Sequence, residues 1–297
     1  MKWQTFLLVR SISLLWLMGL VFSACEIINP EEDTPAYLYV QPFMLTTNPQ
    51  TQGSSSHRIT EAWLFVNGEY LGAYNLPALI PVLAEGNATV RLEAGIKENG
   101  LSATPDINPF YEPFRLNMDL AAGRIDTIRP QTRYVDQARF AFIEDFENER
   151  SRIFTRTIIA TDIAPNGLPR TSAPGEVFEG QFSGLLKLNK ENPIAEISTN
   201  LTFEGLLDRG AFVYLEVNYK AEAPVIFGIV SDQGASYNRY YDPGFLARNN
   251  WNKIYFNLGP VIFNSNEDNY RISFQALLPT TTDSARIWMD NIKLVHF

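Results

Sequence analysis

Three stretches of this chain alternate apolar and polar residues with a strict period of two. In FVYLEVNY, Val213, Leu215, Val217 and Tyr219 would share one face, and Phe212, Tyr214, Glu216 and Asn218 the other. In WNKIYFNL, Ile254, Phe256 and Leu258 oppose Trp251, Lys253, Tyr255 and Asn257. In RISFQALL, Ile272, Phe274 and Ala276 oppose Arg271, Ser273 and Gln275. Side chains alternate faces along a strand, so this pattern selects half-buried β-strands over helices. With GLLKL, EISTNL, VIFGIV and the last strand, it predicts a β-sandwich over residues 137–297. Aromatic residues make up 13% of the 297 and charged residues only 19%, which suits packed sheets better than a charged helical rod or a disordered chain.

The last strand contains a break. In IWMDNIKL the apolar positions are Ile287 and Met289 before Asp290-Asn291, and Ile292 and Leu294 after it. A flat strand cannot turn both sets toward one core. One extra residue, a β-bulge at the Asp-Asn pair, would restore the phase.

Residues 36–135 read as a second, smaller β domain, a sandwich of about 100 residues. AWLFVNGEYLGAY predicts a hairpin turning at Asn67-Gly68, residues that tolerate positive φ. NATVRLEAGIKENG and RIDTIRPQTRY add strands, and TTNPQTQGSSSH is a polar loop. VNGEYLGAYNLP resembles PEGA-like and related immunoglobulin-like modules over a dozen residues. A spacer role follows from that resemblance.

The N-terminus reads as an export signal. Lys2 and Arg10 precede an apolar run from Ser11 to Phe22, then Ser23, Ala24 and the single Cys25. The run falls short of the roughly 20 residues of a membrane span. FSAC resembles a bacterial lipobox, whose cysteine becomes lipid-modified after cleavage. The resemblance implies a signal peptide over 1–24, lipidation at Cys25, a tether over 25–35 and a lipid-anchored protein of the outer membrane. It does not fix which membrane face. Cys25 has no partner thiol, although export would permit a disulfide. The net charge is −9, and cleavage would remove two positive charges. Such a body lacks the basic footprint of a nucleic-acid binder.

The order of DFE (145–147), FSGLLKL (182–188), VYLEVNYKA (213–221), WNKIYFNL (251–258) and MDNIKL (289–294) resembles the jelly-roll carbohydrate-binding modules and their galactose-binding-like relatives. The resemblance implies an all-β chain, an immunoglobulin-like sandwich followed by a jelly roll. It further implies one structural calcium ion with Glu147 and Asp290 as side-chain ligands. Glu144, Asp145 and Glu149 are nearby alternates, and Asp290-Asn291 could equally be a polar edge bulge.

No enzyme motif occurs. His57 and His296 have no metal or triad spacing, and no G-x-S-x-G, H-E-x-x-H, P-loop or C-x-x-C is present. The chain therefore reads as non-catalytic. The candidate ligand surface is SYNRYYDPGFLARNNW, with Tyr237, Tyr240, Tyr241 and Trp251, joined by Tyr214 and Glu216 on the neighbouring sheet face. Rings beside amides and charges suit sugars, and equally suit protein contacts. They would equally pack a long loop onto the sandwich. The expected function is recognition of a glycan at the cell surface. The alternative is an accessory subunit docked on an outer-membrane protein complex.

Overall fold

The computed structural model describes residues 33–101, 105–159, 164–234 and 236–297. Cys25, the signal peptide and most of the tether lie outside them. The described chain is nearly all β, and it falls into two groups of strands. The first holds β1 (Ala36–Val40), β2 (Met44–Thr46), α1 (Pro49–Gln52), β3 (Glu61–Val66), β4 (Glu69–Asn75), β5 (Ala78–Val82), β6 (Gly86–Lys97), β7 (Pro105–Ile107), β8 (Phe114–Leu120), β9 (Ile125–Ile128) and β10 (Gln131–Arg133). The second holds β11 (Arg139–Glu144), β12 (Arg156–Ile159), β13 (Arg170–Thr171), β14 (Ser183–Asn189), β15 (Ile194–Ser198), β16 (Val213–Ala221), β17 (Val225–Asp232), β18 (Tyr237–Phe245), β19 (Arg248–Asn257), α2 (Gly259–Ser265), β20 (Arg271–Leu277) and β21 (Ser284–His296). Every sheet draws its strands from one group only.

In the first group the predicted hairpin is present. Asn67 and Gly68 both have positive φ, 51° and 89°, and β3 pairs antiparallel with β4. Paired positive φ values match the right-handed twist of the flanking strands. The sheet β4-β3-β6-β7, with β8 also on β6, packs against β5-β1-β9. Pairing is not purely antiparallel: β1 runs parallel to β9, and β2 parallel to β10. Leu38, Leu64, Val90 and Leu92 are fully buried within this core.

The second group is a two-sheet sandwich. One sheet has the order β13-β14-β21-β16-β19, with β11 also on β21; the other has the order β12-β15-β20-β17-β18. The alternating residues fill the space between them, with Leu215, Val217, Phe227, Phe256, Ile272 and Phe274 all inaccessible to solvent. Each such side chain contributes about 1.5–3 kcal/mol by leaving water.

The phase break in β21 is a bulge. Glu216 of β16 faces Lys293 and Asn218 faces Asp290, so one residue of β16 opposes two of β21. Asn291 takes a positive φ of 46°, which asparagine tolerates better than most side chains. As a result Ile287, Met289, Ile292 and Leu294 all reach the core. The bulge also sits where β21 changes neighbour. Residues 284–289 pair with β14, and residues 292–296 pair with β11.

The two groups share one continuous apolar seam. Tyr214, Tyr255 and Val295, on the outer face of the six-stranded sheet, belong to the core cluster of the first group. Phe110 meets the Tyr214 ring edge-on at 5.4 Å. β16 is therefore buried on both faces, apart from Lys220.

Candidate functional site

The outer faces of the two sheets of the second sandwich differ. The face of the six-stranded sheet is covered at one end by β1–β10. The face of the five-stranded sheet carries a polar network.

The register of that sheet brings the network together. Glu196 on β15 pairs with Gln275 on β20, and Gly228 on β17 lies between Ser273 and Tyr241. Arg239 and Tyr237 follow Tyr241 along the same side of β18, because they stand two and four residues away. Glu196 is fully buried, yet its carboxylate accepts from Arg239 Nε at 2.9 and 3.1 Å. The Tyr241 hydroxyl donates to Glu196 Oε1 at 2.9 Å and lies 2.8 Å from Ser273 Oγ. Burial pushes the Tyr241 phenol far above its ordinary value, so it stays protonated and can donate. Arg156 on β12 donates to the Tyr237 hydroxyl at 2.7 Å and pairs with Asp232 at 3.1 Å. The Arg156 and Arg239 guanidinium carbons lie 5.8 and 5.6 Å from the Tyr237 ring centre. The result is an open face with two half-buried rings, guanidinium donors and the Gln275 amide. Such groups stack on apolar ring faces and exchange hydrogen bonds with hydroxyls.

The four aromatics predicted as one cluster do not stand together. Residues 236–251 are not a long loop: they form β18, a short crossing at Leu246 and Ala247, and the start of β19 in the opposite sheet. Tyr237 and Tyr241 lie on the open face. Tyr240 points the other way, packs against the core and donates to Glu267 Oε1 at 3.0 Å. Trp251 sits on the outer face of the six-stranded sheet, against Phe178 at 5.3 Å, with the Lys220 ammonium between it and Trp288.

Tyr214 and Glu216 are corrected more sharply, for both are fully buried under the first group. The Tyr214 hydroxyl donates to Glu98. Glu216 pairs with Lys253 at 2.8 Å and accepts from the Tyr134 hydroxyl at 2.7 Å. Burial would raise the Glu216 carboxyl, but the Lys253 and Lys293 ammoniums outweigh it and hold it below the usual range. These two residues make the seam, not a surface for ligand.

Open-face residues outside the predicted surface are Arg156, Glu196, Ser273 and Gln275; Arg239 lies within the predicted SYNRYYDPGFLARNNW stretch. Ser273 and Gln275 were visible as the polar side of RISFQALL. Glu196 and Arg156 come from β15 and β12, whose distance in sequence hides their adjacency.

Glu147 and Asp290 flank the same turn, residues 179–183. Glu147 Oε1 accepts from the backbone N–H of Gln181 and Phe182 at 2.8 and 2.9 Å. Asp290 accepts from Ser183 Oγ at 2.6 Å and from the N–H of Asn291 at 2.7 Å. Burial, with the Glu147 charge adding to it, pushes the Asp290 carboxyl up to about 7. Among the described residues no group of three or more His, Cys, Asp or Glu side chains is placed to hold a metal. The fit to calcium is thus two carboxylates, with backbone carbonyls left to supply the remaining oxygens. Of the alternates, Glu144 is a buried structural acceptor. It takes the N–H of Phe146 and Ile153 and lies 3.4 Å from Arg152 Nε.

No protein-family model matches the chain, and no curated protein does. Among solved structures it is similar to TmCBM61 in complex with β-1,4-galactotriose, at 13% identity over 44% of this chain and 82% of that one, with a TM-score of 0.28. It is similar to the family 30 carbohydrate-binding module of a Clostridium thermocellum cellulosomal cellulase, at 13% identity over 53% and 96%, with a TM-score of 0.38. It is also similar to a family 29 carbohydrate-binding module, at 17% identity over 54% and 88%, with a TM-score of 0.29. Likeness at this level says nothing of what this chain binds.

Proposed function

We propose that the protein is a non-catalytic, lipid-anchored protein of the cell envelope that recognises a glycan through the open face of its five-stranded sheet. The observation that carries this reading is the pair Tyr237 and Tyr241 on one side of β18, set among Arg156, Arg239 and Gln275. A sugar ring would stack on Tyr237 while its hydroxyls meet the guanidinium and amide groups. Affinity per site would be modest and would gain from many copies on one membrane. The test is a glycan array with the parent and Tyr237→Ala. Loss of the bound glycans with an unchanged melt supports the reading. Unchanged binding by the variant, or no glycan bound by the parent, overturns it.

Membrane attachment at Cys25 belongs to the same proposal, supported by FSAC and the absence of a second cysteine. Cys25→Ser should leave the precursor unprocessed or release it from membranes. Calcium at Glu147 and Asp290 is supported by the cost of burying one carboxylate beside the other, which a cation would relieve. Added calcium should then raise the melting temperature, and Asp290→Asn should abolish that response. A melt indifferent to calcium and chelator would remove the ion from the proposal.

One observation favours the accessory-subunit reading. The outer side of β5-β1-β9 exposes Tyr39 beside its partner Leu79, with Ile125, 59% exposed, beside Tyr37 one step along the same face. Apolar side chains gathered on an uncovered sheet suit a protein partner. Co-purification that is lost on Leu79→Asp/Ile125→Asp, with glycan binding intact, would move this reading to first place.

A further inference from the structure

A pocket of about 570 Å³ opens at the seam of the two strand groups, lined by neither Tyr237 nor Tyr241. That volume lies within the range of about 300–1,000 Å³ usual for small-molecule sites. One wall is the turn after β6, with Lys97 and Asn99. The other is the crossing from β18 to β19, with Phe245, Arg248, Asn252 and Lys253. Arg58 closes the rim.

The protein carries a net charge of −9, yet no Asp or Glu is among the described residues that line this pocket, while four basic residues are. Two of the four are already compensated from behind. Lys253 pairs with the buried Glu216 at 2.8 Å, and Lys97 lies 3.9 Å from Glu61. The charges of Arg58 and Arg248 are not: both side chains are exposed, and neither makes an ion pair among the described residues. Inside, Asn252 donates to the Tyr219 hydroxyl at 3.0 Å, and its own Oδ1 is buried with no donor. A buried acceptor without a donor is costly and calls for one from a ligand or water. The rings of Tyr219 and Phe245, stacked at 3.9 Å, add apolar wall.

We propose that this pocket binds a carboxylate-bearing sugar, a uronate or the acidic end of a glycan. Arg58 and Arg248 take the carboxylate, since guanidinium groups bind carboxylates in planar, charge-assisted pairs. Asn252 Oδ1 accepts a ring hydroxyl, and Phe245 backs the ring. The two walls belong to different strand groups, so the site exists only while the seam is closed.

The test is titration calorimetry on the full chain with glucuronate, glucose and inorganic sulfate, at low and at physiological salt. Glucuronate should bind, and more weakly as salt screens the pair. Glucose and sulfate should each bind at least about tenfold more weakly. Arg58→Gln/Arg248→Gln should remove glucuronate binding, whereas the charge-matched Arg115→Gln/Lys187→Gln, on exposed positions elsewhere, should leave it. Tyr237→Ala should leave it too, which separates this pocket from the sheet face. The proposal is overturned by glucose binding as well as glucuronate, by sulfate binding as well, or by no binding at all. Equal loss in the charge-matched control, or loss in Tyr237→Ala, also overturns it.

Discussion

Each outer face of the second sandwich buries a glutamate completely, and the two solve the same problem by different means. Glu196, under the open face, is neutralised by Arg239 and Tyr241 from its own sheet, and Arg239 keeps 38% of its side chain in water. Glu216, under the covered face, is held by Lys253 and by Tyr134 of the other strand group, with Lys293 close by. Nothing in that seam can turn to solvent. A carboxylate shielded by its neighbours leaves its face free to meet a ligand. One shielded by the other strand group turns its face into structure.

The largest effect expected from this contrast is removal of the cover. A fragment beginning at Gln137 keeps every strand of its two sheets but exposes Tyr214, Tyr255, Glu216, Lys253 and Lys293. It should fold cooperatively and melt well below the full chain, by more than any single substitution below. Calorimetry checks this, and a fragment melting with the parent would show that the seam contributes little.

Next come the two glutamates. Glu216→Ala strands buried ammoniums and should cost about 3–5 kcal/mol. Glu196→Ala should cost about 1–3 kcal/mol, because Arg239 can turn outward. Equal losses in denaturant titration would break the comparison.

A pH effect should be smaller. Burial, helped by the Lys253 ammonium and opposed by Glu216 and Glu179, pushes Lys293 from 10.5 down to about 8. Between these values the unfolded chain holds a proton that the folded chain lacks, so stability rises with pH across the window. Lys293→Met should flatten that rise, on the order of 2 kcal/mol. Tyr134 and Tyr255 are raised above 10.0 by burial, so their loss of stability begins only near the top of the window. A parent with no rise between pH 8 and 10 would mean that Lys293 is not held as its surroundings imply.

The smallest stability change belongs to the open face. Tyr237→Ala should shift stability by less than about 1 kcal/mol, since the ring is half-buried and Arg156 keeps Asp232. A larger loss would place Tyr237 among structural residues and weaken the glycan reading.

What the sequence disclosed follows the reach of each signal. Strand alternation and the Asn-Gly turn act between near neighbours, so both domains' strands and the 67–68 hairpin were legible. The bulge was legible for the same reason, as a change of parity within eight residues. The seam was not. Tyr214 and Glu216 carry the pattern of a solvent-facing side, and nothing in FVYLEVNY records that the other strand group lies over it. The aromatic cluster failed differently: Tyr237 and Trp251 stand 14 positions apart, and the chain crosses from one sheet to the other between them. Arg58 and Arg248, 190 positions apart, give no local sign that they line one pocket.

The Asp290-Asn291 bulge also governs where this chain can tolerate a change of length. Losing Asn291 would leave an unbroken ladder that keeps the present faces: Ile292 and Leu294 would still turn inward, and Lys293 and Val295 would still meet the seam. A single-codon deletion at 291 should therefore keep the fold, while one at Trp288 would put the two halves of the strand out of phase and abolish it. The last strand can lose a residue at the one place where it looks irregular.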